Sequence, residues 1–347
     1  MIRTLMIGVA AAALATSALA AETWKAPRNA WGQPDLSGVW SNATITTLER
    51  PPAFGDRLVL TDKEASALEG GNAARMKAAN AATKDGTKVD ELPSCGGGQT
   101  GPACGYNAFW VDPGTRVIRI GNEARTSIIV EPKDGKLPLN AAAQGRIRAA
   151  QGNARVGNFD GPERRPLGER CLVGFGSTSG PPMLPVLYNN HYQIMQTGNE
   201  VMIQVEMVHD TRIIRLNDTA HKPANVRLWM GDSIGHWEGD TLVVETTNFR
   251  RDQTFRGATQ DQKVIERFTR ISPQQILYQF EVVDPAAFTS PVKGEESFNA
   301  TKDMVYEYAC HEGNYALPGI LAGAREEEKK GKEMEGNRGE VREEGGN

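Results

Sequence analysis

The segment of residues 226–282 constrains the fold most, because its pattern predicts a run of short strands joined by tight turns. Stretches rich in Val, Ile and Thr alternate there with Gly, Asp and Pro at the corners, which is typical of antiparallel sheet. The predicted strands are residues 226–230, both arms of a hairpin over 236–247, 264–269 and 276–282. The predicted turns are residues 231–235, the hairpin corner at 238–240, and 272–275, where a proline presets the backbone angle φ.

Strands outnumber helices along the whole chain. Further strands are predicted at residues 117–120, 126–130, 192–196, 201–208, 211–216 and 305–309. Helices are predicted after the capping box Thr61-x-x-Glu64, to about residue 82, and over the Ala-rich residues 140–151. The sequence therefore predicts a mainly β fold, with α+β as the alternative. It would be a curled or closed antiparallel sheet, as a barrel or a sandwich, with one or two short helices in the N-terminal half.

The first 20 residues have the pattern of a secretory signal peptide. Arg3 precedes an apolar run that is shorter than the ~20 residues needed to span a bilayer, and residues 18–20 are Ala-Leu-Ala. We expect export to the periplasm or the outside, and no stable membrane insertion. Residues 21–324 are expected to form one mainly β domain with a long loop over 152–190, followed by a charged, disordered tail over 325–347.

All four cysteines lie in the part predicted to be exported, where disulfides persist. Three pairings are possible. We favour Cys95 with Cys104, which would close a Gly-rich loop, and Cys171 with Cys310, which would tie the middle of the chain to its C-terminal end. A cysteine metal site is the alternative, but the chain has no Cys-x-x-Cys motif.

Charge and motif patterns argue against nucleic acid, organic cofactors and metals. The net charge is -4, and no block of Lys and Arg is interleaved with aromatic residues. The Gly-rich residues 174–180 precede two prolines, where a phosphate-binding loop needs a helix. No two histidines have His-x-x-x-His spacing, although a metal site assembled from His209, His236 and His311 stays open.

The strongest candidates for chemistry lie in residues 206–212. Glu206 follows apolar strand residues, where a carboxylate is expensive unless it is paired or faces a pocket. Such surroundings can raise the pKa of a carboxyl group toward acid–base duty. Either Glu206 or His209 would be the general base, with Asp210 orienting His209 and Arg212 stabilising a developing oxyanion. A solvent-facing Glu206 on a half-buried strand is the alternative.

Two further histidines are weaker candidates. His236 follows Gly-x-Ser-x-Gly at residues 231–235, but a nucleophile elbow needs a helix after Ser233 and a strand is predicted instead. We therefore retain His236 for proton transfer and expect Ser233 in a tight turn. His311, next to Cys310, would either close over a pocket or belong to a structural C-terminal clip.

Arginines cluster in the predicted long loop, over residues 164–170. They predict either a site for carboxylate or phosphate groups or surface ion pairs with Glu163 and Glu169.

Gly38-x-Trp40 resembles the first strand of lipocalin-like (calycin) barrels, in which the Trp closes the barrel bottom. A buried Trp on an ordinary strand is the alternative. Longer phrases resemble a large family of secreted bacterial proteins to which we attach no activity. These phrases are residues 34–40, 168–171, 231–241 and 308–314. The resemblance implies export and a shared fold, supplies no catalytic residues, and leaves the Cys95–Cys104 loop as an addition.

Three functions are compatible with these patterns. The leading hypothesis is a periplasmic, cofactor-independent acid–base enzyme, a lyase, isomerase or hydrolase, acting on a small apolar or aromatic molecule in the mouth of a β-barrel. The alternative is a non-catalytic, lipocalin-like carrier of apolar small molecules. A third possibility is an envelope interaction protein that uses the long loop and the charged tail.

Overall fold

The structure is a computed structural model that describes residues 24–81, 86, 112–155, 159–174 and 180–330, without the side chains of residues 150–155. The predicted signal peptide and the predicted Cys95–Cys104 bond lie outside these residues. The strands are β1 (Gly38–Ser41), β2 (Val59–Leu60), β3 (Arg119–Ile120), β4 (Glu123–Arg125), β5 (Ile129–Glu131), β6 (His191–Gln196), β7 (Glu200–Val205), β8 (Thr211–Leu216), β9 (Asp232–Glu238), β10 (Thr241–Thr247), β11 (Lys263–Ser272), β12 (Gln275–Val283) and β13 (Val292–Ala300). The helices are α1 (Asp62–Ala79), α2 (Ala141–Arg155) and α3 (Ala316–Lys329).

Nine strands close into a barrel in the order β1-β6-β7-β8-β9-β10-β11-β12-β13. Closure comes from β1, which pairs with β6 on one side and with β13 on the other, where Trp40 lies opposite Ala300. The short β5 adds to β13, and β2, β3 and β4 form a small separate sheet. The mainly β fold and the closed sheet predicted from the sequence are confirmed.

The barrel is mixed rather than purely antiparallel, which corrects one part of the prediction. β8 and β9 run parallel, with Ile214 opposite Ser233, because residues 217–231 carry the chain back before β9 begins. Gly235 lies in this parallel pair, and an added Cβ would come within 2.8 Å of an Ile214 methyl carbon. The absence of a side chain at Gly235 therefore permits close packing of the two strands. The turn predicted over residues 231–235 is wrong beyond Gly231, whose φ is +70°, because β9 begins at the next residue.

Other predicted strands also differ from the structure. Residues 226–230 form a turn with one isolated bridge, between Leu228 and Phe249, and residues 305–309 are not a strand. β7 ends at Val205, because the chain turns tightly there through Met207–His209 and the Val205 N–H donates to the Asp210 carbonyl. The hairpin cornered at residues 238–240 and the one turning at 273–274 are confirmed.

The two predicted helices are present as α1 and α2. A third helix, α3, lies in the C-terminal part of the chain and was not predicted. The capping box is formed, with Thr61 accepting from the Glu64 N–H and the Glu64 carboxylate accepting from the Thr61 N–H. The sequence predicted no helix near α3, which runs through the first five residues of the predicted charged tail. Side-chain pairs three residues apart, such as Lys329 with Glu326, support that last turn.

Aromatic side chains fill the barrel. Inward and outward residues alternate along the strands, as in β12, where every second residue is buried. The rings of Tyr192 and Phe298 stack with centroids 5.0 Å apart, and Phe298 also contacts Tyr278 and Phe268. Met183, from residues 180–184, is fully buried beside them and donates its N–H to the Tyr278 hydroxyl at 3.0 Å. The interior is therefore a packed core.

An ion pair lies inside this apolar core. Arg212 donates two hydrogen bonds to the Glu266 carboxylate, at 3.0 and 2.6 Å, and both side chains are at most 1% exposed. Tyr278 donates its hydroxyl to the same carboxylate at 2.8 Å. A buried pair of this kind is costly to break, because the remaining charge has no water to solvate it.

Substituting Arg212→Met is expected to lower the free energy of unfolding by about 3–5 kcal/mol, because Glu266 is left as an uncompensated buried charge. Urea denaturation followed by circular dichroism would measure the loss. Arg267→Met is the matched control, since Arg267 lies on the outside of β11 and pairs with the exposed Glu238; there we expect a change of at most about 1 kcal/mol. Equal losses in the two variants would contradict a structural role for the buried pair.

Candidate functional site

A cavity of about 760 Å³ lies at one end of the barrel. Ser41 at the end of β1, His191 at the start of β6 and Glu206 just after β7 form its barrel side. The C-terminal segment and α3 form the opposite side. We call this cavity the cleft; it is lined by Ser41, Ala43, Asp112, Gly168, Glu169, Tyr188, Asn189, Asn190, His191, Glu206, Glu307, Tyr308, Ala309, Cys310, Gly313, Asn314, Ala316, Leu317 and Ile320.

His191 and Glu206 form a hydrogen-bonded pair in the cleft, with Nδ1 2.9 Å from Oε2. The Glu206 side chain is only 2% exposed, whereas that of His191 is 22% exposed. The other Glu206 oxygen, Oε1, accepts from the Tyr306 backbone N–H at 3.1 Å. The buried carboxylate therefore holds the imidazole in one orientation and leaves Nε2 as the ring nitrogen for other partners, with an Asp303 oxygen 3.8 Å away.

The two groups shift each other's pKa in opposite directions. The hydrogen bond with Glu206 raises the pKa of His191 above the ordinary value of 6.5 despite the opposing effect of burial, and the charge of Glu206 adds to the rise, as do those of Asp303 and Asp112. Burial alone would raise the pKa of Glu206, but the hydrogen bonds from His191, the Tyr306 N–H and Asn189 together lower it. The pair therefore favours a proton on His191 and a negative charge on Glu206.

A disulfide holds the C-terminal segment across the cleft. Cys171 and Cys310 are bonded, with Cα atoms 5.7 Å apart, which confirms the second of the two predicted pairings. Asn314 donates its side-chain N–H to the Glu169 carbonyl at 2.7 Å and fixes the same segment again. We call residues 301–315 the strap; it connects β13 to α3 and supplies Glu307, Tyr308 and Ala309 to the cleft.

The structure brings one of the six predicted site residues to the cleft, Glu206. His209 is exposed in the turn after β7, with φ +46°, and the neighbouring Asp210 carboxylate accepts from the Gly174 N–H at 3.1 Å. Arg212 points into the barrel, where it pairs with Glu266.

The other two predicted histidines are exposed. His236 lies on β9, 3.1 Å from the Glu238 carboxylate, and His311 lies in the turn beside Cys310. The catalytic roles predicted for these residues stay predictions. Ser233 is 5% exposed, and its hydroxyl bonds to the Thr246 hydroxyl at 2.8 Å.

The sequence analysis did not single out His191, although the chain contains a signal for it. β6 and β7 form a hairpin in which Tyr192 lies opposite Val205 and Gln196 opposite Val201. Extending this register by one residue places His191 opposite Glu206, and the Glu206 N–H donates to the His191 carbonyl at 3.0 Å. Combining the two predicted strands as one hairpin would have identified the pair.

Within the described residues, no group of three or more His, Cys, Asp and Glu side chains is arranged to hold a metal ion. In the same part of the chain, no helix has both the length and the apolar character needed to cross a membrane.

No family model and no curated protein matches the chain. Among solved structures, the chain is similar to a secretary abundant heat soluble (SAHS) protein from Ramazzottius varieornatus, with a TM-score of 0.23 and 10% sequence identity. The match covers 32% of this chain and 70% of that chain. A likeness this low assigns no function.

The Cys171→Ser/Cys310→Ser variant is expected to lose roughly 2–4 kcal/mol of stability, because the bond closes a long loop in the unfolded chain. The two bonded cysteines are 139 residues apart in the sequence. Urea denaturation of both proteins under non-reducing conditions would measure the loss. An unchanged denaturation midpoint would show that the bond does not stabilise the fold.

Proposed function

We propose that the protein is an exported enzyme that performs acid–base chemistry on small molecules in the cleft, with His191 as the residue that transfers the proton. The observation that carries this proposal is the buried Glu206 carboxylate 2.9 Å from His191 Nδ1. A carboxylate in that position fixes the imidazole and stabilises its protonated form, while Nε2 exchanges a proton with a bound molecule. Glu206 is then a positioning residue rather than the base predicted from the sequence.

The surroundings of the pair support this proposal. The cleft has the volume of a small-molecule site. The barrel interior is filled by aromatic side chains and by Met183, so a ligand is better accommodated in the cleft than inside the barrel. The Cys171–Cys310 disulfide is compatible with an oxidising compartment outside the cytoplasm.

The test compares small molecules before and after exposure to the protein. Purified protein would be incubated with a small-molecule extract of the periplasm it comes from, and masses lost and gained would be recorded by mass spectrometry. We expect wild-type protein to convert at least one compound, and His191→Gln to convert it roughly 10²–10⁴-fold more slowly, because general acid–base catalysis contributes that much. Gln retains a side-chain donor for Glu206 and so limits damage to the cleft.

A second variant, Glu206→Gln, should also convert the compound more slowly, because it removes the carboxylate that positions His191. Glu200→Gln is its matched control, because Glu200 is exposed at the opposite end of β7. It should convert the compound at the wild-type rate. A compound that binds and is returned unchanged by every variant would favour the carrier function and overturn catalysis. Equal conversion by wild type and His191→Gln would remove His191 from the mechanism.

The pH dependence of kcat/KM should carry the signature of the pair. Because Glu206 raises the pKa of His191, the limb of the profile that belongs to His191 should lie above pH 6.5. Glu206→Gln removes the largest cause of the rise, so this limb should move to lower pH whether His191 acts as acid or as base. A limb that stays in place would show that a different group governs the profile.

A further inference from the structure

The cleft carries an uneven distribution of charge. Its described lining includes four carboxylates, from Asp112, Glu169, Glu206 and Glu307, and neither lysine nor arginine. Among these described lining residues, only His191 has a side chain able to carry a positive charge. A cavity lined by one sign of charge concentrates ligands of the opposite sign.

Two of these carboxylates are already compensated. Glu169 accepts two hydrogen bonds from the Arg165 guanidinium, at 2.9 and 3.0 Å, which is the ion pairing that the sequence offered as one of two alternatives. Glu206 is compensated by His191. Neither Asp112 nor Glu307 forms an ion pair with any described residue, and both are exposed in the cleft. They are therefore available to a ligand.

The carboxylates in and around the cleft also act on His191. After the hydrogen bond and charge of Glu206, the carboxylates of Asp303 and Asp112 also raise its pKa. Asp112 is therefore close enough to stabilise a positive charge at the position of the imidazole. A cationic group bound nearby would be stabilised by the same carboxylate.

The cleft also has apolar and aromatic lining residues. Leu317 and Ile320 from α3 face it together with Tyr188, and Ala309 and Ala316 add small apolar surface. An apolar ligand body gains free energy by covering such residues. An aromatic face also attracts ammonium groups through its π electrons.

We propose that the cleft selects small organic cations, amines or quaternary ammonium compounds that carry an apolar or aromatic body. This inference rests on the proposed function, because it names the substrate class of the same site. The cation would lie near Asp112 and Glu307, and the apolar body against Leu317 and Ile320. Anionic molecules of the same shape would be repelled, because no cationic side chain among the described residues forms an ion pair with Asp112 or Glu307.

Three probes that share a benzene ring but differ in charge test the proposal: the cation benzylammonium, the neutral benzyl alcohol and the anion benzoate. Their binding to the full-length mature protein would be measured by isothermal titration calorimetry and by chemical-shift changes at low salt and pH 8. We expect benzylammonium to bind about tenfold more tightly than benzyl alcohol, given two uncompensated carboxylates near the surface. Benzoate should bind more weakly than benzyl alcohol, and the preference for the cation should shrink at high salt.

The Asp112→Asn/Glu307→Gln variant removes both free charges while keeping side-chain shape. Its affinity for benzylammonium should fall to that for benzyl alcohol, and its affinity for benzyl alcohol should not change. Glu200→Gln is the control and should keep the full preference. Circular dichroism would confirm that each variant is folded. Benzoate binding as tightly as benzylammonium, no binding of any probe, or a preference that persists in the double variant would overturn the proposal.

These outcomes are distinguishable from failure of the proposed function. Selective binding of benzylammonium with no conversion of any extract component would support the ligand class and overturn catalysis. Conversion that depends on His191, in a protein without preference for ammonium probes, would support catalysis and overturn the ligand class.

Discussion

The rest of the structure depends on the closure of the barrel by β1. This strand is four residues long and pairs with β6 and β13 at once. Trp40 anchors it, because its side chain is 1% exposed in the interior and its indole N–H donates to the Leu36 carbonyl at 2.9 Å. Closure places Ser41 opposite His191, so the same pairing that removes the sheet edges also builds the barrel side of the cleft.

The buried polar groups explain why the cleft lies at the end of the barrel and not within it. Arg212, Glu266 and Tyr278 satisfy one another in the interior, and the aromatic rings around them leave the space filled. Burial raises the pKa of Glu296 well above its ordinary value and so favours its neutral form. Asn42 donates to this carboxyl group at 3.2 Å. The packed barrel thus supports the cleft, which lies at its rim.

The strap connects this support to the proposed chemistry. It holds Tyr306 against Glu206 and is itself tied to residues 168–171 by the Cys171–Cys310 bond. His191 and Glu206 are close in sequence, but Glu206 also accepts a hydrogen bond from Tyr306, which lies about a hundred residues further along the chain. The cleft therefore depends on closure of the whole barrel and on the disulfide. Neither half of the chain could form it alone.

The sequence alone determined those features of the fold that depend on residues close together in the chain. Alternation of apolar residues predicted β6 to β8 and β10 to β12, but not β13, which pairs with β1 to close the barrel. Gly, Asp and Pro placed two hairpin turns, and Thr61 with Glu64 set the start of α1, because these depend on neighbouring residues. The Cys171–Cys310 pairing was also predicted, since pairing Cys95 with Cys104 across a short Gly-rich loop leaves these two cysteines for each other.

Tertiary structure decided the rest. The parallel pairing of β8 with β9, the partner of Arg212 and the hydrogen bond from the Tyr306 N–H to Glu206 all join residues that are not neighbours in sequence. Glu206 was recognised as unusual from its apolar neighbours, but only the β6–β7 register shows that its partner is His191. Local patterns specify which residues face inward; only closure of the sheet specifies which of them meet.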